Sequence, residues 1–396
     1  MRLWIESAHQ SQGSAIDGTP GILISTLTTE ERFVGLVMSG LLGSEFESRA
    51  RSMLHRPWSS SEVDGLLSAL PAEGHAPLAL LHVRGGAHAR LVECDAPPLF
   101  MARRGRLVLL PVVEEELGTH LIRRCEFELR DGDHLAMVSE GYIQGAGAGK
   151  PSPHVGWREV AVAIRRLTET RCDAQQLAGA LIRQYQRQAT RDQGSGTGDE
   201  PLAFGHRPSA ISVLAMFVRS MRTVTVWSGP PADRAAERPM LDALMREADM
   251  RVVCGDTTAE IAARMLGAEL VMEPRPQEGW AEVPPVSRMV LPDGNEAVTI
   301  VTEGVVTMRA ARERLVGSTH RNCTGTVRAG DLGGRTDGAS RLAYLLMTAD
   351  RVRFLVGMAV NPAQLAADGT PLRRIAVEEL VEDLRARGKI VSVEHF

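Results

Sequence analysis

The sequence predicts an α/β protein in two parts, a β-rich α+β domain followed by a three-layer α/β domain with a mainly parallel sheet. Three observations carry this reading. At 396 residues the chain has room for two or three domains. Its first half reads as short strands broken by turn residues. From about residue 222 strands alternate with helices, which argues for βαβ units. The boundary falls near Arg219–Thr223, giving domains 1–221 and 222–396.

In the first part, Gly21–Leu27 and Arg32–Met38 are β-rich runs around a polar break, and Ser44–His55 reads as a helix. Leu78–Arg84 and Ala87–Glu93 flank Gly85-Gly86, a two-residue hairpin turn. Strands follow at Pro98–Ala102 and Arg106–Pro111. Glu126–Arg130 and His134–Ser139 flank the turn Asp131-Gly132-Asp133. Trp157–Thr168 and Asp173–Ala189 carry apolar residues at helical spacing. Residues 192–208 read as a Gly/Pro-rich mobile loop, and Ile211–Arg219 as a buried strand. In the second part the strands TVTVWSG, RVVCG, AVTIV, RVRFLVG and KIVSVEHF alternate with helices. The last helix places Ile375, Val377, Leu380, Val381 and Leu384 on one apolar face with its arginines in solvent.

Composition excludes several classes. Hydrophobic residues are 44% and charged residues 24%, ordinary globular values that exclude a disordered or fibrous chain. A net charge of −4 leaves no electrostatic footprint for nucleic acid or an anionic membrane. The positive charge is almost all arginine, with Lys150 and Lys389 the two lysines. Five cysteines without a CxxC spacing suggest neither a disulfide framework nor a thiolate zinc site. Glu6 and His9 interrupt any apolar leader, and no apolar run approaches the ~20 residues that span a bilayer. The expectation is a cytoplasmic protein. His82 and His88, read across a two-residue turn, point to opposite faces of the hairpin and share no metal.

Several turns carry chemistry-bearing residues in a recognisable order: Met38-Ser39-Gly40-Leu41-Leu42-Gly43-Ser44, Asp95-Ala96-Pro97-Pro98, Gly132-Asp133 leading to Ser139-Glu140-Gly141, and Pro208-Ser209-Ala210 before a strand. This set resembles the PPM metal-dependent protein phosphatases, in their sporulation stage II protein E (SpoIIE) branch. GPPAD (229–233), VVCGDTTAEIAARMLG (252–267), VTEGVVT (301–307), DGASRL (337–342) and FLVGMAVNP (354–362) extend the likeness to a two-part bacterial subfamily. The resemblance implies an α/β-β/α sandwich for the first domain. It also implies phosphoserine or phosphothreonine as substrate, in a bacterial signalling protein, with two Mn²⁺ or Mg²⁺ ions as cofactors.

The departures bear on activity. Hard dications need oxygen ligands, most of them anionic. The family's aspartates fall on Ser39 (followed by Gly40), on Glu140, and on Ser209-Ala210, with Asp17 the nearest candidate for the remaining one. The leading expectation is therefore a degenerate phosphatase-like regulatory protein that binds a phosphoprotein or signalling partner and holds no metal. An active Mn/Mg phosphatase with a rearranged site around Glu140 and Asp17 is the first alternative. The second is a small anionic ligand held by the C-terminal domain at Asp256, Thr257, Thr258, Glu303 and Gly304, with Gly357 and Asn361 nearby. These are small and hydroxyl-bearing turns at the carboxyl ends of strands. The competing reading of Thr257 and Thr258 is simple helix capping.

Overall fold

The computed structural model describes residues 3–12, 22–29, 32–39, 44–55, 59–71, 76–144, 156–170, 172–193, 211–246, 248–273, 286–317 and 337–396. The chain divides into two compact units, Met1–Ser220 and Met221–Phe396.

The first unit is built on two antiparallel sheets. One has the order β1 (Leu3–Gln12), β11 (Ile211–Ser220), β10 (Asp133–Val138), β6 (Phe100–Arg103), β7 (Arg106–Leu107). The other runs β2 (Ile22–Thr28), β3 (Arg32–Ser39), β4 (Leu78–Arg84), β5 (His88–Cys94), β9 (His120–Glu128), β8 (Val113–Leu117). The two-residue period of a strand explains the layering. In β3, Phe33 and Val37 face a core shared with Ile5, Met101, Leu135 and Leu214 of the other sheet. Val34, Leu36 and Met38 point the other way, onto α1 (Ser44–His55) and α2 (Ser60–Leu67) through Phe46, Met53, Val63 and Leu66. The outer face of the other sheet packs on α4 (Trp157–Glu169) and α5 (Ala174–Gln193) through Ile164, Leu177 and Leu181. A short helix, α3 (Glu140–Gln144), follows β10. The result is a four-layer α/β-β/α sandwich.

The second unit has a seven-stranded sheet with helices on both faces. Its order is β14 (Glu269–Met272), β15 (Ser287–Val290), β16 (Glu296–Thr302), β13 (Met250–Cys254), β12 (Thr223–Ser228), β17 (Arg351–Val356), β18 (Ile390–His395). From β16 to β18 every pairing is parallel, and β14 and β15 extend the edge antiparallel. Val226, Val252, Ile300 and Phe354 pack on α8 (Val305–Gly317), α9 (Gly338–Thr348) and α10 (Leu372–Ala386). Trp227, Val253, Val301 and Leu355 pack on α6 (Glu237–Met245) and α7 (Asp256–Leu266). Both faces are covered, as a parallel sheet requires. The chain winds outward from β12 in both directions, so the topological switch point lies between β12 and β17. Among the described residues, no helix is long and apolar enough to cross a membrane.

Several expectations change. The 84–88 turn has three residues: Gly85 and Gly86 both take positive φ, and Ala87 N donates to Arg84 O at 3.2 Å. His82 therefore pairs with Arg90, and Arg84 with His88, which puts His82 and His88 on one face. They line a cavity of about 380 Å³ with Arg84, Arg90, Glu126 and Glu128. Burial, with Arg84, Arg32 and Arg90, lowers the His82 pKa to about 4. The expectation of opposed faces is therefore overturned, and the two histidines share the cavity with the Arg90–Glu126 pair. β1, α2, β8 and the first half of β9 arise where no element was expected. Of the expected loop 192–208, Asp192 and Gln193 end α5 and the rest lies outside the described residues.

Candidate functional site

In the first domain, register aligns one rim of the six-stranded sheet. Met38, Leu78, Cys94 and Ile122 sit in a row, so β3 ends on Ser39 at the rim where Asp95 follows β5. Two strand spacings of ~4.8 Å put the Ser39 and Asp95 backbones about 10 Å apart. In the other sheet, Gln12 pairs with Ile211, and Val138 with Val213. The Ser139 hydroxyl is buried at the end of β10 and accepts from Ser212 N at 2.9 Å. Ser139 is thereby committed to joining β10 to β11, and Glu140 opens α3 half-exposed. Asp17, Gly40, Ser209 and Ala210 lie outside the described residues, as does the Ser39 side chain.

The rim carries a cluster that sequence reasoning missed. Cys94, Asp95 and His120 bring a thiol, a carboxylate and an imidazole nitrogen within 4.8 Å of one another, a grouping with the donor types of a metal site. Its hydrogen bonds argue for an ion pair instead. His120 Nδ1 lies 2.6 Å from Asp95 Oδ2, and Nε2 lies 2.8 Å from Pro71 O. A carbonyl only accepts, so Nε2 is protonated, and the carboxylate takes the other ring proton. Both ring nitrogens are used. Asp95 also accepts from Leu121 N at 3.0 Å and Ala76 N at 3.3 Å. Burial and Asp95 push the Cys94 thiol up to about 12, which leaves it a poor ligand. Next to it, Glu93 is 1% exposed and accepts from Leu99 N at 2.6 Å. Its other oxygen lies 3.1 Å from Arg123, which also donates to Ala96 O. The carboxylates of this turn thus hold the 95–99 loop in place.

The His120 pair makes stability depend on pH. Its bonds to Pro71 and Asp95 raise the histidine, and the His120 bond lowers Asp95 against burial. A raised histidine contributes fully below its unfolded value of about 6.5, and the contribution is lost as pH rises through the folded value. The depressed Asp95 contributes above about 3.9, and that is lost as pH falls through its folded value. Urea midpoints of the first domain are expected to fall between pH 6 and pH 9, and the fall should shrink in His120→Gln. An equal fall in that variant would remove His120 as its source.

In the second domain, four of the predicted ligand residues converge at the carboxyl rim. Gly255 N donates to Thr302 O at 2.7 Å, and Thr302 Oγ1 to Cys254 Sγ at 3.4 Å, which ties the β13 and β16 turns together. Gly255 and Gly304 have φ of 117° and 119°, a region that excludes most side chains. A Cβ on Gly304 would come 3.3 Å from Gly255 Cα, so the turns lie in contact. Asp256 opens α7, Glu303 precedes Gly304, and Thr258 is 1% exposed. Burial and the Asp256 charge both raise the Glu303 pKa. Neither threonine caps α7: its N-cap is Gly255, with no side-chain bond. Thr257 is exposed.

Gly357 and Asn361 do not join this group. Asn361 caps a 3₁₀ turn, accepting from Ala363 N at 3.0 Å. Gly357 lies against the Gly229-Pro230 turn at the switch point, where Arg373 from α10 is also lodged. Arg373 is half-buried and donates to Gly357 O at 2.7 Å, so it leaves the expected solvated face, on which Arg374, Arg385 and Arg387 are exposed. Its guanidinium occupies the place where a doubly wound sheet usually receives a ligand.

No protein-family profile matches the chain, and no curated protein does. Among solved structures, the phosphatase domain of SpoIIE from Bacillus subtilis is 14% identical with a TM-score of 0.36, covering 55% of this chain and 92% of that one. The catalytic domain of the serine/threonine phosphatase PstP, solved with two manganese ions, is 13% identical with a TM-score of 0.35, covering 55% and 100%. RsbX in complex with magnesium is 8% identical with a TM-score of 0.33, covering 54% and 95%. At these scores the likeness says nothing of this chain's chemistry, and the sandwich rests on the strand order and cores given above.

Proposed function

We propose that the chain is a phosphatase-fold regulatory protein of the SpoIIE type whose first domain binds a phosphoprotein or signalling partner and hydrolyses it weakly or not at all. The supply of carboxylates at the sandwich rim carries this reading. Asp95 is committed to His120 and two backbone N–H groups. The Ser139 hydroxyl is committed to β11, and β3 ends on Ser39. Glu140, which opens α3, is the carboxylate that stands where the family pattern has an aspartate. Two adjacent dications need several anionic oxygens, because like charges a few ångströms apart are held together only by intervening negative charge.

The test is hydrolysis of p-nitrophenyl phosphate with Mn²⁺ and then Mg²⁺, for the parent, Glu140→Ala and Ser39→Asp. The expected result is no metal-dependent turnover in the parent and a measurable gain in Ser39→Asp. Strong Mn²⁺-dependent turnover that disappears in Glu140→Ala would overturn the proposal in favour of an active phosphatase with a rearranged site.

A further inference from the structure

We propose that Asp256 and Glu303 hold one hard divalent cation at the carboxyl rim of the second domain, between the β13–α7 and β16–α8 turns. All of its residues belong to the second unit, so the site does not rest on the reading of the first domain. Orphaned oxygens mark it. Glu303 Oε2 is buried and has no hydrogen-bond partner among the described residues, and neither does Oγ1 of the fully buried Thr258. The Thr258 hydroxyl lies over the Gly255 turn, 3.1 Å from where a Cβ would stand. Gly304, next to Glu303, packs on that same turn. The orphaned oxygens therefore sit on residues of two turns in contact, and an oxygen buried in this way takes a water or an ion as its partner.

Charge decides which group. Asp256 and Glu303 bring two carboxylates to turns that lie in contact through Gly255 and Gly304, and neither makes a salt bridge among the described residues. A phosphate or carboxylate ligand would add a third negative charge. A water or a neutral diol would satisfy the lone pairs and leave the repulsion. A cation answers both. The donors are all oxygen, two of them anionic, which is the ligand chemistry of Mg²⁺, Mn²⁺ or Ca²⁺ rather than of softer ions. The adjoining turn at β12 is filled by Arg373, so the acidic turns are the part of this rim suited to a cation.

Isothermal titration of the purified full chain with MgCl₂, MnCl₂ and CaCl₂, and Mn²⁺ paramagnetic resonance, test this directly. One ion per chain is expected, with affinity at least tenfold weaker in Glu303→Gln and Asp256→Asn and unchanged in Glu140→Ala. Thr258→Val should weaken it a few-fold. Circular dichroism of the two carboxamide variants should match the parent. Absence of saturable binding up to millimolar metal would overturn the proposal. So would binding that survives Glu303→Gln and is lost in Glu140→Ala, since that places the ion in the first domain. Equal competition by methylammonium would overturn the assignment to a divalent ion.

Discussion

Gly357→Ala should cost the second domain about 3 kcal/mol or more, at the upper end of what overpacking does. A Cβ at this position would stand 2.1 Å from Pro230 O and 2.2 Å from Gly229 O. Both obstacles are backbone atoms, which cannot turn aside as a flexible side chain can. The two turns are also tied together. Gly357 N donates to Ser228 O at 2.9 Å, Ala359 N to Pro230 O at 3.2 Å, and Trp227 Nε1 to Gly229 O at 2.8 Å. Relieving the clash separates β12 from β17 at the switch point and releases Arg373 from the Gly357 carbonyl. At roughly 2–4 °C per kcal/mol, the transition of this domain should fall by about 6–12 °C. Hydrogen exchange on β12 and β17 resolves this domain from the first, which a single melting curve does not. Gly65→Ala in α2 is the control. It has open space around its Cα, and there alanine should stabilise by about 0.5–1 kcal/mol. If Gly357→Ala melts like Gly65→Ala, the close approach at the switch point is wrong.

What the sequence displayed and what it hid follow one division. Local periodicity was legible. Arg32–Met38 alternates cleanly because one face meets the other sheet and the opposite face meets α1 and α2. The strand–helix rhythm after residue 222 is the signature of βαβ winding. The long-range features were not legible. β1 (LWIESAHQSQ) is mostly polar and buries Ile5, and its strand form rests on pairing along its length with β11, two hundred residues away. β8 (VEEEL) is exposed throughout and is held by β9. One extra turn residue, Ala87, moved His82 and His88 to a common face. The same division runs through the candidate sites. The sequence placed Asp256 and Glu303 in strand-to-helix turns, but their meeting depends on β13 lying beside β16. Asp95 and His120 meet because β5 pairs with β9, and no spacing rule announces that. Gly132-Asp133 read as a motif step toward Ser139, whereas the Asp133 side chain has its own structural task.

That task sets the second large effect. Asp133→Ala should cost the first domain about 3–5 kcal/mol, the range for breaking a buried ion pair from one side. The Asp133 side chain is fully buried and accepts three bonds: Arg103 Nε at 2.7 Å, Arg103 Nη2 at 2.8 Å and Arg130 N at 2.7 Å. The two-pronged contact with a guanidinium is strong and directional. It pins β6 to β10 at the first residue of β10, where Asp133 pairs with Arg103. Removing the carboxylate leaves the Arg130 N–H without its acceptor, and Arg103 keeps only the carbonyl of Glu128, at 2.9 Å. Arg103→Met should cost a similar amount by stranding the buried charge of Asp133. The double variant Asp133→Leu, Arg103→Met should recover much of the loss, because two apolar side chains need no partner. Urea unfolding followed by hydrogen exchange on β10 gives the cycle, and a coupling energy of about 2 kcal/mol or more is expected. Single variants that each cost under about 1 kcal/mol, with an additive double, would mean that the pair is solvated and its burial misplaced. The position of the pair separates stability from chemistry. β10 carries Asp133 at one end and leads to Ser139 and Glu140 at the other, about 20 Å away at 3.3 Å per residue. A loss of folding in Asp133→Ala therefore carries no information about the Glu140 rim, and the phosphatase assay must be read on Glu140 and Ser39 variants alone.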